Sequence, residues 1–157
     1  MATSKDDIKA TYPLPVYNYR VEIGGEAVSF SEVSGLNIVI NTTTYKESPV
    51  EGGSPGPRVM HMPAQGTPAN LTLKKGLVSG TSVPALYAWI ASAQTNQIEK
   101  KDVFIRLCDE TGAPLVSWAV LDAFPTKLDA PTFGADSDDV AVESMELMAS
   151  SVLIEES

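Results

Sequence analysis

The sequence predicts a mainly β protein with one helix to place, on three observations. Alternating apolar and polar residues recur along the chain, as in Tyr17, Tyr19, Val21 and Ile23 set against Asn18, Arg20 and Glu22. Clusters of glycine and proline punctuate these runs at short intervals. A single stretch has convincing helical spacing: Val83, Leu86, Ile90 and Ala93 recur at intervals of three, four and three.

Taken in order, residues 1–15 form a polar arm ending in Tyr12-Pro13-Leu14-Pro15, expected to be extended. Residues 16–23 read as a strand, Gly24-Gly25 as a hairpin turn, and residues 27–33 as the returning strand. Ser34-Gly35 breaks it. A third strand, residues 36–45, is rich in Ile, Val and Thr, and its polar middle, Asn41 to Thr44, is not expected to be core. Gly52-Gly53-Ser54-Pro55-Gly56-Pro57 reads as a loop and residues 58–62 as a short strand. Residues 46–67 together make an extended connection, long for a compact domain, and are expected to reach a partner.

Residues 70–76 read as a strand with Leu71 and Leu73 inward, and Gly76 as the turn out of it. A helix over 84–97 follows, with Ser82 as its cap and Pro84 in the first turn, where a missing N–H costs little. Residues 103–108 and 115–124 read as a hairpin joined by Asp109 to Pro114. The second of these strands is apolar on both faces, which predicts cover from the helix and from a second sheet or a neighbouring subunit. A turn-rich link over 125–131 and an acidic turn, Asp136-Ser137-Asp138-Asp139, precede a last strand over 140–154. Its apolar phase changes between Leu147 and Val152, predicting a bulge or bend.

The 157 residues fit one domain spanning 1–157, with 43% apolar and 20% charged residues. A net charge of −9 opposes any general affinity for phosphate backbones. One cysteine, Cys108, leaves no internal disulfide and suits a reducing compartment. The polar residues 1–9 do not resemble a cleaved signal, and no run approaches the ~20 apolar residues of a membrane span. Cytosolic synthesis without membrane anchoring is the expectation.

Catalytic readings are weak. His61 is the sole histidine. Met60-His61-Met62 could be drawn as a soft-metal site, but in an extended segment the sulfurs point away from the imidazole, so a half-buried strand is the stronger reading. Cys108 with His61 could be drawn as a nucleophile pair, against the plainer reading of a small thiol at a strand end. Asp136, Asp138 and Asp139 lack the spacing of a calcium loop, and Lys74-Lys75 is a weak basic patch for nucleic acid. No enzyme and no cofactor or metal is expected. An uncharged edge over 36–45 instead invites pairing between chains.

An ordered set of segments carries a resemblance. Tyr12-Pro13-Leu14-Pro15-Val16-Tyr17-Asn18-Tyr19-Arg20-Val21-Glu22-Ile23, then Phe30-Ser31-Glu32-Val33-Ser34-Gly35-Leu36 and Tyr45-Lys46-Glu47, resemble the opening of the inner tail-tube family of contractile phages and related injection particles. Leu71 to Gly76, Leu86 to Ile90, Trp118 to Leu128 and Val140 to Leu147 continue the match in order, and it looks closest to the antifeeding-prophage-like extracellular contractile injection systems. The resemblance implies a β-barrel or two-sheet sandwich of antiparallel strands flanked by one α-helix. Subunits of that family form hexameric rings that stack into a tube inside a contractile sheath. Carried over by position, Asn37, Val39, Asn41, Thr42, Thr43 and Thr44 would line the lumen or the strand shared between subunits. Glu47, Ser48, Pro49, Val50, Glu51, Gly52, Gly53, Arg58, Met60 and Met62 would form the arm touching the next ring. Leu86, Trp89 and Ile90 would pack the helix on the barrel.

The expected function is thus structural: an inner-tube subunit driven through a target envelope when the sheath contracts. The partners implied are further copies in a homo-hexamer, a sheath protein, baseplate or spike and terminator proteins, with protein effector or DNA as cargo. Assembly would take place in the bacterial cytoplasm, in a particle that is then released. The alternatives are a non-contractile tail or type VI secretion ring and, from another class, a monomeric β-barrel that binds a small ligand.

Overall fold

The computed structural model describes residues 2–48, 56–94 and 97–156. Its strands are β1 Tyr19–Ile23, β2 Glu26–Val28, β3 Glu32–Ser34, β4 Ile40–Glu47, β5 Arg58–Gly66, β6 Ala69–Gly76, β7 Lys101–Cys108, β8 Pro114–Asp129, β9 Val142–Ala149 and β10 Ser151–Glu156. The helices are α1, Lys5–Thr11, and α2, Ala88–Ala91, which continues a π-helical turn over Val83–Tyr87. All the strand pairings are antiparallel. This is a two-sheet, tail-tube-like β fold of the kind expected.

β8 joins the two sheets. Its first half pairs with β7 and β10, extending a sheet that runs β2-β1-β7-β8-β10. Its second half pairs with β9, in a sheet that runs β8-β9-β6-β3. The chain turns between them at Asp122, whose φ of 53° lies in the left-handed region and whose N–H donates to Asp102 Oδ1 at 3.1 Å. The turn-rich link expected over 125–131 is therefore strand as far as Asp129. Pro125 fits there because it adjoins a register shift on a stretch that, among the described residues, is paired on one side only, where a missing N–H costs little. The last strand divides at Ser150 into β9, on one sheet, and β10, on the other, which is the bend expected between Leu147 and Val152.

Between the sheets lies a core of Val21, Ile23, Leu71, Leu73, Val103, Ile105, Val120, Met145 and Leu147. Leu86 and Trp89 enter it from the helix, with Ile90 partly buried against it. The expected face of Val83, Leu86, Ile90 and Ala93 is not the one that packs, since Val83 and Ala93 are exposed. Ala88 N–H donates to Val83 O, five residues back, and this wider winding changes the phase so that Leu86 and Trp89 point inward. The helix ends at Ala91, well short of residue 97. Ser82 makes no side-chain cap; its Oγ accepts instead from Val78 N–H at 2.9 Å, tying the loop to the helix start.

Three other expectations are revised. Residues 27–33 are two strands: β2 pairs with β1, and β3 crosses to pair with β6. The 1–15 arm is not extended throughout, because Ser4 Oγ accepts from Asp7 N–H and caps α1, with Asp6 and Asp7 at the positive end of its dipole. Lys9 Nζ meets Glu110 Oε1 at 2.9 Å, an exposed pair that joins α1 to the β7–β8 turn. The strand expected over 36–45 starts at Ile40, and the short strand at 58–62 continues to Gly66. The Gly24-Gly25 turn is as expected, with φ of 59° and 91° in a two-residue hairpin that opposes Ile23 to Glu26.

Tyr19 spans the opening between the sheets, donating its hydroxyl to Phe30 O at 2.6 Å. Burial first, and the Glu32 carboxylate second, hold its phenol above the usual tyrosine range. Ionisation is thus disfavoured in the fold. The stabilisation is complete below the ordinary tyrosine value and is lost as pH rises through the folded one. Urea titrations at rising alkaline pH should show that loss, and Tyr19→Phe should remove this component of it.

Candidate assembly surface

Among the described residues, β4 and β5 pair only with each other, in a two-stranded sheet separate from the body. Thr42, Thr43, Thr44 and Tyr45 favour extended backbone, and Val59 opposite does the same. The register runs Thr43↔Met62, Thr44↔His61, Tyr45↔Met60, Lys46↔Val59 and Glu47↔Arg58, with a shift between Ile40 and Thr42. Pro63 sits beside that shift, a position that tolerates its missing donor.

Alternation gives the hairpin two unlike faces. One carries Thr43, Tyr45, Met60, Met62 and the opposed pair Glu47 and Arg58. The other carries Thr42, Thr44, His61, Lys46, Val59 and Pro63. His61 Nδ1 lies 3.1 Å from Thr44 Oγ1. Met60 and Met62 point to the opposite face, so the two sulfurs and the imidazole do not converge on a metal. Cys108 is buried at the end of β7, in the body, with its thiol toward Arg106 O. Among the described residues, no group of three or more His, Cys, Asp or Glu side chains could hold a metal ion. Within those residues, too, no helix is long and apolar enough to cross a membrane.

The hairpin gathers residues that the sequence had divided between two roles. Asn41, Thr42, Thr43 and Thr44 lie in β4, directly opposite Met62 and its neighbours in β5, so the expected lumen strand and the expected arm are the two sides of one element. Asn37 and Val39 lie in the chain just before β4, exposed, and not in the strand. Glu47 and Arg58 face each other across the hairpin and Ser48 is exposed just beyond β4; Pro49, Val50, Glu51, Gly52 and Gly53 fall outside the described residues. Leu86, Trp89 and Ile90 are elsewhere, on the core. Trp89 Nε1 donates to Glu99 O at 2.7 Å, and Lys101 Nζ lies 5.1 Å from its ring centroid. Two runs of strand-forming residues on either side of a Gly/Pro cluster were the signal for one hairpin.

Of the residues in β4 and β5, only Glu47 and Met60 are even half-buried, and the rest are exposed. A two-stranded hairpin is at best marginal in water, so an element of this length without a core of its own calls for a partner. A model of the T4-like virus tail tube protein gp19 family matches residues 15–152. The chain belongs to this tail tube family. The tail tube chain is 39% identical to a chain of the PVC sheath–tube complex, an extracellular contractile injection system in its extended state. That match covers 99% of this chain and 100% of the other, with a TM-score of 0.89. It is 41% identical to a chain in the structure of the anti-feeding prophage cap, over 100% of both, with a TM-score of 0.84. A chain of the PVC sheath/tube terminator in the extended state is also 41% identical, over 92% of this chain and 97% of that one, at 0.82. Hcp1 from Flavobacterium johnsoniae shares the fold at a TM-score of 0.53 and 14% identity. No curated protein matches. The tail tube chain is thus homologous to tube proteins of contractile injection systems, and its family is a structural one. A monomeric ligand-binding barrel gives way to that finding.

Proposed function

We propose that six copies of this chain close into a ring and that rings stack into the inner tube of an extracellular contractile injection particle, enclosed by a sheath. The observation carrying this reading is the β4–β5 hairpin, a long element exposed over nearly its whole length, in a chain that matches a sheath–tube complex chain from end to end. Its two faces divide the work. The face with Tyr45, Met60 and Met62 packs on neighbouring copies, burying apolar surface at about 25 cal/mol per Å². The face with Thr42, Thr44 and His61 turns to the lumen, where hydroxyls stay hydrated and cargo slides past without adhering.

Charge is consistent with this arrangement. Between residues 37 and 69 the charged residues are Lys46, Glu47, Glu51 and Arg58, two of each sign, so the net −9 belongs to the rest of the chain. A neutral hairpin docks on an acidic body without the repulsion that two acidic surfaces would suffer. Baseplate and terminator proteins would meet the two ends of the stack, and the sheath its outside. The subunit needs no catalytic group, since sheath contraction moves it as a rigid piece of tube. Electron microscopy of the purified protein should show rings with six-fold symmetry or tubes built of them. A monodisperse monomer at high concentration, with no such tube in isolated particles, would sink the reading.

A further inference from the structure

We propose that Met60 and Met62 form an oxidation site, with a peroxide as the oxidant, and that their sulfoxides block assembly of the free subunit. The inference rests on the tube reading above and goes beyond it, by making one face of the hairpin chemically switchable.

The two side chains are placed for this. They stand two residues apart on β5 and project from the same face, with Tyr45 opposite Met60 and Thr43 opposite Met62. Met62 is 42% exposed and Met60 is half-buried. The described residues include two other methionines. Met145 is fully buried in the core, and Met148 is half-buried opposite Phe124 on β8. Cys108, the remaining sulfur, is buried with its thiol toward Arg106 O. An oxidant in solution therefore meets Met62 first. Where 43–47 pair with 58–62, the apolar side chains on this face, among the described residues, are Tyr45 and the two thioethers. Oxidising them converts most of its apolar surface.

The step is a two-electron oxidation of sulfur. The thioether attacks one oxygen of hydrogen peroxide and the O–O bond breaks. That oxygen stays on sulfur as a sulfoxide, its proton passes to the other oxygen, and water leaves. Methionine sulfoxide reductases restore the thioether. Thioethers suit a packing face because they are unbranched, polarisable and favourable against aromatic rings. A sulfoxide is a polar acceptor. Sealed against an apolar neighbour without a donor, it weakens one contact by about tenfold or more. A ring repeats that loss at every junction. The subunit's own fold is spared, since neither residue belongs to the core. Once rings close, neighbouring copies cover both sulfurs, so the switch acts on free subunits and spares the finished tube.

Hydrogen peroxide tests this on purified full-length subunits, held below the concentration at which they assemble. Peptide mass spectrometry should find one added oxygen on Met62 first and on Met60 next, with Met145 unmodified and the circular dichroism unchanged. On concentration, the treated half should yield less tube than the untreated half, by roughly tenfold or more. Methionine sulfoxide reductases A and B should reverse the loss. Met60→Leu combined with Met62→Leu, compared with its own untreated half, should show no peroxide effect. If that variant fails to assemble untreated, the reductase arm on wild type still decides. Undiminished assembly of subunits carrying both sulfoxides overturns the inference, as does an equal peroxide loss in the leucine variant or a loss that the reductases leave in place. Oxidation of both residues inside intact tubes at the free-subunit rate overturns it too, by showing that this face is not covered. Each of these results leaves tubes of untreated protein standing. Untreated wild type without rings or tubes in any preparation refutes the tube reading and this inference together.

Discussion

Met60→Asp should leave the subunit folded and prevent its assembly. Met60 lies opposite Tyr45 on the apolar face of the hairpin and is half-buried even in the isolated chain. A carboxylate sealed into an apolar contact without a partner costs several kcal/mol. Each 1.4 kcal/mol is tenfold in affinity, so a penalty of about 4 kcal/mol weakens a single contact by roughly a thousandfold. A ring repeats the penalty at every junction. The body should be unaffected, since among the described residues β4 and β5 pair only with each other and Met60 is not among the core residues. A surface substitution of this kind moves stability by about 0.5 kcal/mol or less. Sedimentation should report monomer where wild type sediments as large assemblies, with an unchanged thermal midpoint. Thr44→Ser, on the opposite face, is the control expected to assemble normally. Assembly of Met60→Asp at wild-type concentration would show that this face is not the one that packs.

Gly35→Ala should have the opposite profile, with assembly lost because the fold itself is weakened. Gly35 has a φ of 88°, and a Cβ built on it would stand 2.5 Å from Asn70 O, a backbone atom that cannot swing aside. The left-handed backbone alone costs about 1–3 kcal/mol for a residue with a side chain. Relieving the clash requires β3 to move off β6, which loosens the Glu32↔Lys74, Val33↔Leu73 and Ser34↔Thr72 pairs. A total loss of about 2–4 kcal/mol is expected, at the upper end for single substitutions. Gly25→Ala separates the two causes. Its φ of 91° is as unfavourable, but nothing lies within 4 Å of the added carbon, so it should cost only the backbone part. Urea unfolding of the two variants side by side measures the difference, and equal losses would show that the Asn70 contact yields freely.

Parts of this fold were legible because a local pattern sufficed. The Gly24-Gly25 turn needs only two residues that accept positive φ, and both are glycine. Leu71 and Leu73 alternate with polar neighbours and lie in the core. The Thr-rich segment at 42–44 is exposed, as its two polar faces implied. The misread elements depend on something non-local or on a competing local signal. The expected turns at Pro125 ignored that a strand end paired on one side tolerates proline. The helix phase followed a 3.6-residue period that a π-helical turn does not keep. Capping by Ser4 and the acidic first turn marked α1 clearly, but the prolines downstream drew the whole arm into an extended reading.

By itself, the sequence determined the class of the protein: many short strands, one core-packing helix, an uncharged strand, a Gly/Pro-centred excursion, and an ordered resemblance to tail tube proteins. These follow from residue type and spacing, which fix backbone preference and which faces are apolar. Tertiary structure alone decided that β8 is shared by both sheets, that the excursion is a hairpin joining the Thr strand to the Met60 strand, and that an open slot lies beside Trp118. Each of these is a choice of partner. Period and propensity say which way a side chain points along its own strand. Which strand lies across from it, and whether that strand belongs to the same chain, is set by how all the apolar faces can be buried at once.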